Sequence, residues 1–172
     1  MATTQKPKVG ILMGSNSDLD VMREAEQRLD SFGIAYETRI MSAHRTPDKA
    51  AEYAVTAQKR GLHVIICGAG AAAHLAGTIA ANTTLPVIGI PIDSSSLKGL
   101  DALLATVQMP AGIPVATMAI GKAGAANAGI FAAQIVALTD ADVSAKLAQF
   151  KKEMAAGVEE RDRKLQSERT KS

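Results

Sequence analysis

Lys8-Val9-Gly10-Ile11-Leu12-Met13-Gly14-Ser15-Asn16-Ser17-Asp18 is an apolar run that stops abruptly in a polar, glycine-led loop. The run is short and continuously apolar, as expected of a parallel strand covered on both faces. The loop leads into 18–32, where Leu19, Met22, Ala25 and Leu29 share one helical face. The same pattern recurs. Strands are expected at 8–13, 35–41, 62–67, 86–91 and 114–119. Helices are expected at 47–60, with Ala50, Ala51, Ala54 and Ala57 at helical spacing, and more briefly at 72–81. Such alternation implies right-handed crossovers and a three-layer α/β/α sandwich on a five-stranded parallel sheet. A flavodoxin-like strand order, 2-1-3-4-5, is expected. Past the fifth strand, 122–138 reads as a helix of small residues. The last segment, 140–165, aligns Val143, Leu147, Phe150, Met154 and Val158 in one stripe. That stripe either packs on another subunit or folds back on its own domain. Residues 1–172 read as a single domain with its core at about 8–138, and the chain is expected to fray after Leu165.

Composition narrows the function. Lys and Arg total 19 against 17 Asp and Glu, and the excess lies in the last 22 residues, so the body is neutral. With aromatic content at 3%, neither a phosphate-binding surface nor base-stacking platforms are present, and nucleic acid is not an expected partner. Cys67 is the only cysteine, which excludes an internal disulfide and points to a reducing compartment, hence a cytoplasmic protein. The N-terminus MATTQKPK lacks the apolar stretch of a signal peptide. The window 102–120 is apolar enough to suggest a membrane span, but Gln108, Pro110, Gly112 and Pro114 interrupt it, so it reads as core and no membrane is expected.

In a doubly wound sheet, ligands bind beyond the carboxyl ends of the strands. Three loops fall there. Gly14-Ser15-Asn16-Ser17-Asp18 offers hydroxyls and free helix-start amides to an anion; capping by Ser17, with Asp18 complementing the dipole, needs fewer polar residues than it has. Ser42-Ala43-His44-Arg45-Thr46-Pro47 ends in a helix start, Thr46-Pro47, which leaves Ser42, His44 and Arg45 unexplained. Arginine presents a fork suited to phosphate, and histidine exchanges protons near neutrality. Gly68-Ala69-Gly70-Ala71-Ala72-Ala73-His74 matches G-x-G-x-x-A, with Asp93 near a dinucleotide fingerprint's acidic position. That fingerprint belongs on a first βαβ unit, and a small-residue loop equally floors a pocket for a flat ring. His63 reads as structural and Cys67 as a buried inert thiol. Without H-x-x-E-H, C-x-x-C or a carboxylate cluster, no metal site is expected; G-x-S-x-G and P-loop patterns are also missing.

In order, GSNSD, SAHRTP, GAGAAAHLAG, LPVIGIP, VQMPAGIPVATMAIG and KAGAANAG resemble the carboxyaminoimidazole ribonucleotide mutases of purine biosynthesis, from about Val9 to Leu138. The pairing of SAHRTP with VQMP-x-G-x-P is the specific part. The resemblance implies an octameric α/β/α enzyme with active sites near subunit junctions. It would move a carboxylate from the exocyclic nitrogen to ring carbon 4 of a small-molecule ribonucleotide, with no metal, biotin or ATP and no other cofactor. Carried over by motif, Ser15, Asp18 and Arg45 bind substrate. Asp18 takes the ribose hydroxyls, while Ser17, Ser42 and Arg45 hold the phosphate. His44 is the general acid–base, and Gly70, Ala71 and His74 belong to the loop beside the migrating carboxylate. The family commonly reads GAGGAAHLPGM where this chain has GAGAAAHLAGT, so Ala71 stands for a glycine and Ala76 for a proline. Ala71 is strained if its backbone needs a positive φ. Rival readings are a carboxylase that fixes free carbon dioxide on the same ring and a non-catalytic nucleotide-binding module.

Overall fold

A computed structural model describes residues 6–169. The strands are β1 (Val9–Met13), β2 (Tyr36–Ile40), β3 (Val64–Gly70), β4 (Val87–Ile92) and β5 (Ala116–Thr117). All pair in parallel, in the order β2-β1-β3-β4-β5, as the alternation predicts. The helices are α1 (Leu19–Phe32), α2 (Pro47–Arg60), α3 (Leu75–Ala80), α4 (Leu100–Val107), α5 (Lys122–Ala137) and α6 (Ala141–Arg169).

Period-two alternation along β3 builds both faces. Val64 and Ile66 enter a core with Met22, Ala25 and Leu29 of α1 and Ala128, Ala132 and Val136 of α5. Ile65 and Cys67 point the other way, among Ala50, Ala54 and Ala57 of α2 and Leu75 and Ile79 of α3. The small residues of α5 have a packing reason. A Cβ at Gly129 would lie 2.8 Å from the Ala25 carbonyl oxygen, so α1 and α5 approach at backbone distance.

Three helices depart from expectation. The window 102–120 is a short helix, a loop and a two-residue strand; α4 was not foreseen, because Ala102 and Ala105 stand opposite its leucines and leave no polar face to mark a helical period. Among the described residues no helix is long and apolar enough to cross a membrane. Helix α3 starts at Leu75 rather than near Ala72, because the Ala72 carbonyl accepts from the His74 amide at 2.8 Å in a tight turn that follows the left-handed Ala71. Helix α6 continues to Arg169, held past Leu165 by contacts within one helix such as Gln166 to Asp162.

Helix α6 also resolves the two readings of its stripe, by halves. Val143 is buried, Phe150 stacks edge-on against Phe32 at 5.6 Å, and Lys146 Nζ donates to the Phe32 carbonyl at 2.8 Å. This half folds back on its own domain. Met154 and Val158 are exposed, so the distal half runs free of the core.

Candidate active site

Register sets the site. Met13 of β1 pairs with Ile40 of β2 and Gly68 of β3, so three strands end side by side and their loops rise together. Between them opens a cleft of about 220 Å³.

The first loop turns through Asn16–Asp18 before α1 begins. Ser15 Oγ accepts from the Ser17 amide at 3.3 Å, so Ser15 caps this turn and Ser17 does not. Ser17 Oγ instead donates to Asp18 Oδ1 at 3.2 Å. Asp18 is 6% exposed, and its pKa is raised above the ordinary carboxylate value because burial penalises the charge. The bonds from Ser17 and Ser15 and the charge of Arg45 oppose that effect. A buried carboxylate aimed into a cleft gains most from a ligand that donates hydrogen bonds.

In the second loop Ser42 Oγ accepts from the amides of His44 at 3.3 Å and Arg45 at 3.2 Å, fixing the backbone beneath both side chains. Thr46 locks the same turn, donating to the Ser42 carbonyl and accepting from its amide, while Pro47 opens α2. Arg45 Nη2 donates to the Gly14 carbonyl at 2.9 Å and ties the second loop to the first. The other donors of its fork remain for an anion.

The third loop passes close under β4. A Cβ at Gly70 would lie 1.8 Å from Ser94 Oγ, so only glycine fits there. His74 Nδ1 meets His44 Nε2 at 2.7 Å, the rings nearly perpendicular. Ser15, Ser17, Asp18, Ser42, His44, Arg45, Gly70 and His74 therefore line one cleft. Ala71 does not: it forms the turn behind the lining, and its φ of 51° confirms the positive backbone angle that its place in the motif implied.

Ser94 was missed. It follows β4 and lines the cleft, and the three consecutive serines 94–96 at a strand's carboxyl end were the available signal. Asp93 does not line the cleft; it sits beside Gly99 and Gly121, and Ser94 occupies the space above Gly70. The dinucleotide arrangement thus loses its acidic partner, and the following α3 has only six residues. His63 pairs its amide with the Lys8 carbonyl, away from the cleft. Cys67 is buried, and burial pushes its thiol well above the usual range, as for an inert thiol. No cluster of metal-ligating side chains occurs among the described residues.

A family model described as AIR carboxylase matches residues 8–157. The chain belongs to the AIR carboxylase family. Relatives carry the name N5-carboxyaminoimidazole ribonucleotide mutase. The Vibrio parahaemolyticus protein is 56% identical over 151 residues, covering 88% of this chain and 94% of that one. The Bacillus subtilis protein is 58% identical over 142 residues, or 83% and 88% of the two chains. The Pyrococcus horikoshii protein is 53% identical over 163 residues, or 95% and 91%. Among solved structures, Treponema denticola PurE superposes with a TM-score of 0.83 at 30% identity, covering 92% of this chain and 98% of that one. The AIR carboxylase match includes all three cleft loops and ends within α6.

Proposed function

We propose that this chain converts N5-carboxyaminoimidazole ribonucleotide into 4-carboxy-5-aminoimidazole ribonucleotide in purine biosynthesis, as an isomerase without metal or cofactor. One observation carries the reading. A proton-exchanging imidazole, an anion-binding guanidinium and a buried carboxylate open into one cleft.

In this reading Arg45 and Ser17 hold the phosphate, and Ser42 shapes the turn that aims Arg45. Asp18 accepts from the ribose hydroxyls, which relieves its buried charge. The base lies over the loop of Gly70 and Ala71, with the migrating carboxylate near His74. His44 gives its proton to the exocyclic nitrogen as the nitrogen–carbon bond breaks and carbon dioxide is released. Carbon 4 then attacks the carbon dioxide held beside it, and His44 takes the proton that carbon 4 loses. The proton count closes, so one imidazole serves both steps. Holding carbon dioxide against the ring supplies the advantage of an intramolecular reaction.

We further propose one domain over residues 1–172, working as a cytoplasmic homo-octamer. Exposed apolar rows support the oligomer: Leu97, Leu100, Leu104 and Val107 along α4, and Met154, Val158 and Leu165 along α6.

The test is product formation from the N-carboxylated ribonucleotide in low-bicarbonate buffer without ATP or metal. Wild type should turn over, and His44→Asn should lose about 10²–10⁴-fold while still binding substrate. The family model's description favours a second reading, a carboxylase acting on free carbon dioxide. Product only when bicarbonate is raised would establish it. No product under either condition would leave a nucleotide-binding module.

A further inference from the structure

His44 and His74 lie 30 positions apart in the chain and arrive in the cleft from different strands, yet their rings meet nitrogen to nitrogen at 2.7 Å. Ring centroids are 4.9 Å apart at 81°, so an edge of one ring addresses the other. Among the described residues no other hydrogen bond reaches a ring nitrogen of either. Both rings are exposed to the cleft, so the contact is not a by-product of core packing.

A gap of 2.7 Å accommodates one proton and not two. Each ring has a second nitrogen pointing elsewhere. With neither ring charged, one N–H donates across the gap to a bare nitrogen. With one positive charge on the pair, the same bond persists and is charge-assisted. With both rings charged, two N–H groups would face each other and the contact must open. The other ionisable groups lining the cleft are Asp18, from the first loop, and Arg45, next to His44, one of each sign. Neither is bonded to the pair.

We propose that His74 is a positioning residue for His44: its Nδ1 accepts from His44 Nε2–H in the unliganded enzyme, and the pair shares one proton across the gap, so it carries at most one positive charge as long as the contact lasts. This rests on the mutase reading for its consequence. The acceptor keeps a proton on the nitrogen that faces the cleft, and the substrate's exocyclic nitrogen then replaces His74 as the partner of that proton. An acceptor without basicity suffices for this duty.

The chain contains only three histidines, so ¹⁵N-histidine spectra of the intact enzyme are readable. In the wild type the ring ¹⁵N signals of His44 and His74 should show one N–H shared across the gap, with a through-bond coupling between the two ring nitrogens. In His74→Asn that coupling should vanish and the His44 ring shifts should change, and in His44→Asn the His74 ring shifts should change likewise. Ring shifts of either histidine unaffected by the partner's replacement would overturn the proposal. Kinetics supply the second arm. His74→Leu, which removes the acceptor from the free enzyme, should lower kcat/KM about tenfold. His74→Asn should restore most of kcat/KM. Equal losses in Leu and Asn variants would also overturn it. The spectra need no substrate, so they decide the pairing even if wild type makes no ring-carboxylated product, the result that would remove the mutase reading instead.

Discussion

Replacing Ala71 by glycine should stabilise this protein, although it removes a side chain. Ala71 holds φ at 51°, a region that costs an L-residue about 1–2 kcal/mol. Its side chain is exposed, so deleting the methyl group forfeits little burial. Against the relief stands the greater freedom of glycine in the unfolded chain, about 0.4–1 kcal/mol. The balance is a gain of about 0.8 kcal/mol, or roughly a 2 °C rise in Tm for a chain of this size. The neighbouring Ala72 is the control. It is also exposed, but it is not in the left-handed region, so Ala72→Gly has only the entropic penalty and should lower Tm by about 1–3 °C. Thermal scans at one rate and urea melts with unchanged slope would read both. If Ala71→Gly fell as far as Ala72→Gly, the backbone strain assigned to the turn would be refuted. A gain would show that this chain tolerates a strained residue in the loop behind the cleft.

Three other outcomes follow from the cleft and the last helix. Burial raises the Asp18 pKa above its ordinary 3.8, so the folded state holds that proton more tightly than the unfolded chain. This contribution to stability is complete below the unfolded value and is lost as pH rises through the folded one. Asp18→Asn should therefore melt higher than wild type at pH 7, with the gap closing as pH falls through the carboxylate range, while substrate affinity drops about tenfold or more. Arg45→Lys replaces the fork with a point charge and breaks the bond to Gly14, so KM should rise about tenfold with a smaller change in kcat; an unchanged KM would remove Arg45 from phosphate binding. Truncation before Met154 leaves the Phe32–Phe150 and Lys146 contacts in place, so Tm should move little while mass by sedimentation drops; unchanged mass would show that the distal half of α6 does not join subunits.

Much of the fold was legible because strands buried on both faces read as unbroken apolar runs, and β1, β3 and β4 are such strands. Helix α2 was read to its ends because Pro47 starts it and Gly61 stops it. Helix α4 was not, because Ala102 and Ala105 stand opposite its leucines, so no polar face marks the helical period, and its apolar character ran on into the next loop. The distal α6 escaped for the opposite reason. It is held by charge pairs within one helix, which carry no apolar period.

The same division holds for the site. Residue types alone marked His44, Arg45, Ser15 and Asp18 as candidates, because no cap or core role accounts for all the polar side chains at two strand ends, and the structure gathers them in one cleft. Ala71 was singled out by its place in the motif; its backbone has the positive φ that strains an alanine, and it lies behind the cleft lining. The contacts were decided only by tertiary structure: Arg45 on the Gly14 carbonyl, Ser94 over Gly70, and His44 on His74. Each joins residues more than 20 positions apart. No local pattern encodes such a distance, which is set by the register of parallel strands and by which loop reaches across the gap between their ends.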